Sequence, residues 1–107
     1  MTEIAFTRME LRSLYILKAF RANERGLPRR VLTLTLTFVS GERLGSIETG
    51  NLVLKLIKRG LASMDKDGVH LTEAGSTAVK LLEKDLSPLD KDRIDGGARR
   101  FLSETNN

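Results

Sequence analysis

The sequence predicts a small, mainly α-helical domain carrying one short β-hairpin. Three observations predict it. A capping-box pattern, Thr7 to Glu10, opens an amphipathic stretch near the N-terminus. Apolar residues at helical spacing over 46–59 stop at Gly60. Asp67-Gly68, a strong two-residue hairpin signal, lies between the short apolar runs 61–64 and 69–71.

With 107 residues, 40% hydrophobic and 30% charged, the chain has the size of one domain and the composition of a soluble globular protein. Residues 1–86 read as the domain and 87–107 as a C-terminal extension, either a dimerisation helix or a partly disordered tail. No apolar run approaches the roughly 18 residues that span a bilayer. The first residues lack the basic start and apolar core of a signal peptide. The lack of cysteine excludes disulfides and thiolate chemistry, and a cytoplasmic protein is expected.

The first helix is expected to start at Arg8, with Phe6 stapled onto Leu11, and to run to Gly26. Leu11, Leu14, Tyr15, Leu17 and Phe20 make its buried stripe. Residues 32–38 alternate Leu and Thr, a strand signature. The same segment also reads as a helix with Pro28 at its first position and two apolar columns, Val31, Leu34, Phe38 and Leu32, Leu36, Val39. The helix is favoured because the third helix needs a second before it; the strand stays open.

After a turn over 40–45, Ser46 is the expected N-cap of the third helix. Ile47, Leu52, Val53, Leu56 and Ile57 are expected to point inward, leaving Glu48, Thr49, Asn51, Lys55, Lys58 and Arg59 outside. Gly50 costs about 1 kcal/mol in a helix interior relative to alanine, which suggests close packing, close approach of a partner or a later helix start. Gly60 is the C′ residue. The hairpin then turns at Asp67-Gly68, and Thr72 caps a fourth helix with Ala74, Ala78, Leu81 and Leu82 on its apolar face, ending before Ser87-Pro88. A weak last helix places Leu89, Ile94, Ala98, Phe101 and Leu102 on one side, is interrupted at Gly96-Gly97 and frays over 103–107.

The order of three helices, hairpin and helix, with Leu56-Ile57-Lys58-Arg59-Gly60-Leu61-Ala62 and Val69-His70-Leu71-Thr72-Glu73-Ala74-Gly75, resembles the winged helix-turn-helix transcription regulators of the MarR and PadR kind. The likeness is strongest over 46–84 and topological over 7–45. It implies a homodimer that binds duplex DNA, lays the third helix in the major groove, and pairs through its first helix and C-terminal segment. By position, Ser46, Glu48, Thr49, Asn51 and Lys55 would read bases. Arg29, Arg30, Arg43, Lys58, Arg59 and Lys66 would meet phosphates.

The charge distribution is compatible with that reading. Residues 1–60 carry eleven Lys/Arg against five Asp/Glu, whereas 61–107 carry seven against nine. A basic first half suits a polyanion. The alternative is a winged-helix module that binds protein, which the carboxylates of Asp65 and Asp67 at the hairpin tip favour.

No enzymatic constellation is evident. His70 is the single histidine, too little for a His/Cys metal site or a Ser-His-Asp triad, and it reads as a strand side chain. Asp65-Lys66-Asp67-Gly68 lacks the later glycine and bidentate glutamate of a calcium loop, and Gly41 and Gly45 lack the Lys-Ser/Thr of a phosphate loop. Neither cofactor nor metal is expected.

Overall fold

The computed structural model describes residues 6–105. It contains α1 (Arg8–Ala19), α2 (Arg29–Ser40), α3 (Ser46–Lys58), β1 (Ala62–Asp65), β2 (Gly68–Leu71), α4 (Glu73–Leu82), a short 3-10 turn (Glu83–Asp85) and α5 (Pro88–Thr105). The fold is mainly helical with one antiparallel hairpin, in the element order of a small winged helical domain. Among the described residues, no helix is long and apolar enough to cross a membrane.

Helix α1 is the axis of the core. It touches α2, α3, α4, α5 and β2, and Leu14, Ile16 and Leu17 are fully buried. Its start follows the sequence pattern: Thr7 Oγ1 accepts from the Glu10 N–H at 3.1 Å, and the Glu10 carboxylate accepts from the Thr7 N–H at 2.9 Å. Its end does not. The helix stops at Ala19, well before Gly26, because the N–H groups of Arg21 and Ala22 donate back to the carbonyls of Lys18 and Leu17. This is a Schellman closure with Arg21 in the left-handed region at φ 59°, where glycine is usual. It drops Ala22, fully buried, into the core. Arg21→Gly is therefore expected to raise stability by about 1 kcal/mol, read as a shift of the urea midpoint at unchanged slope.

The ambiguous Leu/Thr segment is helical. Leu32, Leu36 and Val39 face the core at helical spacing, while the hydroxyls of Thr33 and Thr35 donate to the carbonyls of Arg29 and Val31, one turn back. Pro28 stands one place before the helix rather than at its first position. The second apolar column is left outside: Leu34 and Phe38 are 59% and 64% exposed.

A second Schellman closure ends α3, with Gly60 at φ 75° as expected and Leu61 donating to the Leu56 carbonyl at 3.0 Å. The hairpin that follows is offset by one residue from the sequence reading. Asp65 pairs with Gly68, so Lys66-Asp67 is the two-residue loop and Gly68 already belongs to β2. The Asp65 carboxylate accepts from the Asp67 N–H at 2.8 Å and sets this turn, in which neither loop residue needs positive φ. Gly68 takes φ 127°, and a Cβ there would strike the Leu27 carbonyl. Leu27 lies that close because it exchanges two 2.8 Å backbone hydrogen bonds with Val69, lining β2 on the side away from β1.

Thr72 joins these parts. Its hydroxyl donates to the Gly60 carbonyl at 2.7 Å and accepts the Gly75 N–H at 3.0 Å, which caps α4. Helix α4 buries Gly75 and Val79, not the face centred on Ala74 and Leu81, both of which are exposed; the close approach of the Leu61 carbonyl to Gly75 fixes its roll.

Helix α5 runs unbroken through Gly96-Gly97, contrary to the expected interruption, because it is anchored along its length. Ser87 Oγ accepts the Asp90 N–H, and Asp90, nearly buried, pairs with Arg12 at 2.8 Å. The Tyr15 hydroxyl donates to Asp95 at 2.9 Å, and burial, then that carboxylate, push the phenol's pKa up to about 12. Ile94 and Ala98 join the common core, and Phe101 meets Phe20 at 5.4 Å between ring centroids. Leu89, expected on the apolar side, is exposed. The helix continues through Thr105; Asn106 and Asn107 of the expected frayed tail lie outside the described residues.

Candidate nucleic-acid interface

Helices α2 and α3 pack with their N-terminal ends around one open cleft of about 320 Å³, lined by Arg29, Arg30, Thr33, Leu34 and Ser46. The α2 end of this cleft is unusually positive for a helix start. Two arginines occupy its first turn, no acid stands there, and no side chain caps it. The partial positive charge of a helix N-terminus then adds to two guanidinium charges instead of being offset by a carboxylate. Such an end is built to receive an anion.

Arg29 also joins the cleft to α3. A Cβ at Gly50 would stand 3.5 Å from Arg29 Nη1, so the guanidinium rests against the helix where the chain carries no side chain. Gly50 lies within α3, so the later helix start is not the reason for it.

The structure separates the sequence-predicted residues into groups. Ser46, exposed, is the first residue of α3 and not its N-cap; Gly45 holds that place, and the Glu48 carboxylate accepts the Gly45 N–H. Glu48 is exposed but committed to this cap. Asn51, Lys55 and Lys58 follow at intervals of four and three on one exposed face. Arg43 is exposed in the turn between α2 and α3.

Thr49 is turned the other way. It is fully buried, its hydroxyl donates to the Gly45 carbonyl at 3.2 Å, and its oxygen lies 2.9 Å from Thr33 Oγ1, whose one proton it shares with the Arg29 carbonyl. It ties α3 to α2 and presents nothing outward, which corrects its expected exposure. Ile47, expected inside, is 77% exposed. Both corrections have one cause: the buried line of α3 runs through Thr49, Val53 and Leu56, and Ile47 sits about 200° around the helix from Thr49.

Arg59 folds back onto the domain, its guanidinium 4.6 Å from the Phe6 ring centroid and 3.9 Å from Glu10 Oε2. Lys66 is exposed on the hairpin loop between Asp65 and Asp67. The Asp67 N–H, then the His70 ring, whose Nε2 lies 3.0 Å from Asp65 Oδ2, hold the Asp65 carboxyl below its usual range. Lys66 therefore acts beside an ionised carboxylate.

Sequence reasoning missed the exposed apolar residues. Leu54, 51% exposed, shares the outer face of α3 with Ile47, Asn51, Lys55 and Lys58. Leu34 and Phe38 were legible as a column but not as a surface. The signal was available in their number, since two adjoining apolar columns on one short helix exceed what a single core contact covers.

No group of three or more His, Asp or Glu is placed to hold a metal ion among the described residues. Compared with protein-family models, curated proteins and solved structures, the chain matches none.

Proposed function

We propose that this chain is a cytoplasmic, DNA-binding transcription regulator of the winged-helix type, with α3 as its groove-reading helix. The observation that carries the reading is the cationic cleft: Arg29 and Arg30 at the uncapped positive end of α2, beside Ser46 at the start of α3. A phosphate held there leaves Asn51, Lys55 and Lys58 on the adjacent exposed helix face to meet base edges or the next phosphates. Asn suits adenine and Lys suits guanine O6/N7. Arg43 and Lys66 are further phosphate candidates, whereas Thr49 is withdrawn from base reading and Arg59 serves the Phe6 and Glu10 contacts.

One observation favours a second reading. Ile47 and Leu54 expose aliphatic surface on the same face as the two lysines, as a protein-binding module would. A salt titration of binding to a random-sequence duplex, followed by fluorescence anisotropy, separates the two. Affinity is expected to fall steeply with salt, and Lys55→Ala or Lys58→Ala to reduce the log–log slope by about 1 each. Lack of binding at low salt overturns the DNA reading and leaves the protein-binding one.

A further inference from the structure

The outermost line of α3 is apolar where a merely solvated helix face would be polar. Ile47 and Leu54, 77% and 51% exposed, stand two turns apart, which brings them within about 20° of each other around the helix. Asn51, exposed, lies between them on the same line, and Lys58, also exposed, extends it. The two aliphatic side chains add little to the packing of the domain itself, because the buried line of α3 runs through Thr49, Val53 and Leu56 on the opposite side. Ile47 also follows Ser46, which lines the Arg29 and Arg30 cleft. A phosphate held in that cleft sets the start of α3 against the duplex, with this line foremost.

An aliphatic side chain has no hydrogen bond to offer a base edge. Set against the donors and acceptors of guanine, adenine or cytosine, it strips them of water and returns nothing. Thymine differs, because its C5-methyl group is an apolar surface in the major groove. Along the helix axis, the two turns from Ile47 to Leu54 span about 10.5 Å at 1.5 Å per residue. That is about three base-pair steps at 3.4 Å each.

We infer that α3 selects thymine through its C5-methyl groups, with Ile47 and Leu54 meeting two of them about three base-pair steps apart and Asn51 pairing with an adenine between. The inference rests on the DNA reading and adds to it a sequence class, a short run of A·T pairs. It also gives a use within that reading to the two exposed aliphatic residues. The group read is a pyrimidine C5-methyl, which unmodified DNA presents as thymine and modified DNA also as 5-methylcytosine; the base assigned here is thymine.

Selection of duplexes from a randomised pool by the full chain, followed by fluorescence anisotropy on the enriched duplex at fixed salt, tests it. Two thymine positions about three base-pair steps apart are expected, and deoxyuridine at either, which removes only the methyl, is expected to weaken binding about fourfold. With a C·G pair at either position, 5-methylcytosine is expected to bind about fourfold tighter than cytosine. Ile47→Ala is expected to abolish the thymine-uracil difference at one position and Leu54→Ala at the other, with the helical spectrum and the salt slope unchanged. Lys55→Ala is expected to do the reverse, lowering the slope and keeping the difference. A duplex that is bound with a steep salt dependence but is indifferent to uracil overturns this inference and leaves the DNA reading standing. So does a thymine-uracil difference that survives Ile47→Ala/Leu54→Ala, a missing gain with 5-methylcytosine, or a pool that enriches no sequence. Lack of binding at low salt overturns both.

Discussion

Replacing Gly75 by alanine is expected to destabilise the domain by about 3 kcal/mol, the upper end of what an added methyl costs in a closed site. A Cβ at this position would fall on the Leu61 carbonyl oxygen and stand 2.6 Å from Leu71 Cδ1. The carbonyl cannot step aside, because it accepts the Thr72 N–H at 3.2 Å. Thr72 is itself held to the Gly60 carbonyl and to the Gly75 N–H. The added carbon therefore pushes apart the end of α3, the hairpin and the start of α4 together. Urea unfolding followed by circular dichroism measures the loss. The same substitution at Gly50 is the control: a Cβ there has room against Arg29 Nη1, and stability is expected to rise by up to about 1 kcal/mol. Equal stability of Gly75→Ala and the unsubstituted protein would refute the close approach.

What the sequence made legible was local. The Thr7–Glu10 capping box, the Gly60 closure and the Thr72 cap each depend on residues within a few positions of one another, and each forms as its pattern implies. Failures came where distant contacts decide. Alternating Leu and Thr satisfies either regular structure locally, and burial of Leu32, Leu36 and Val39 settles it. The Asp67-Gly68 signal gave way to an Asp65-centred turn because Gly68 is needed against Leu27, a residue distant in the sequence. Gly96-Gly97 fails to break α5 because Arg12, Tyr15 and Phe20 of the first segment hold that helix on both sides. At the candidate interface the basic positions were legible as residue types, but the roll of α3, which hides Thr49 and presents Ile47, depends on its packing against α2.

The double substitution Arg29→Glu/Arg30→Glu is expected to move stability and DNA binding in opposite directions. Both residues sit in the first turn of α2, where positive side chains oppose the helix dipole and acidic ones favour it by about 0.3–1 kcal/mol each. The melting temperature is therefore expected to rise. If the same two arginines hold phosphates, their reversal removes two contacts and sets two carboxylates against the backbone. Affinity for a random duplex at low salt is then expected to fall by about a hundredfold or more, with a log–log salt slope shallower by about 2. Arg99→Glu/Lys84→Glu changes the net charge equally at exposed positions on α5 and in the 3-10 turn, so it controls for the long-range field. A small loss shared by both pairs would reduce Arg29 and Arg30 to members of a solvated basic surface. A large loss confined to Arg29 and Arg30, together with a higher melting temperature, separates a site kept for its ligand from one kept for the fold, because residues retained for stability do not stabilise the protein when reversed.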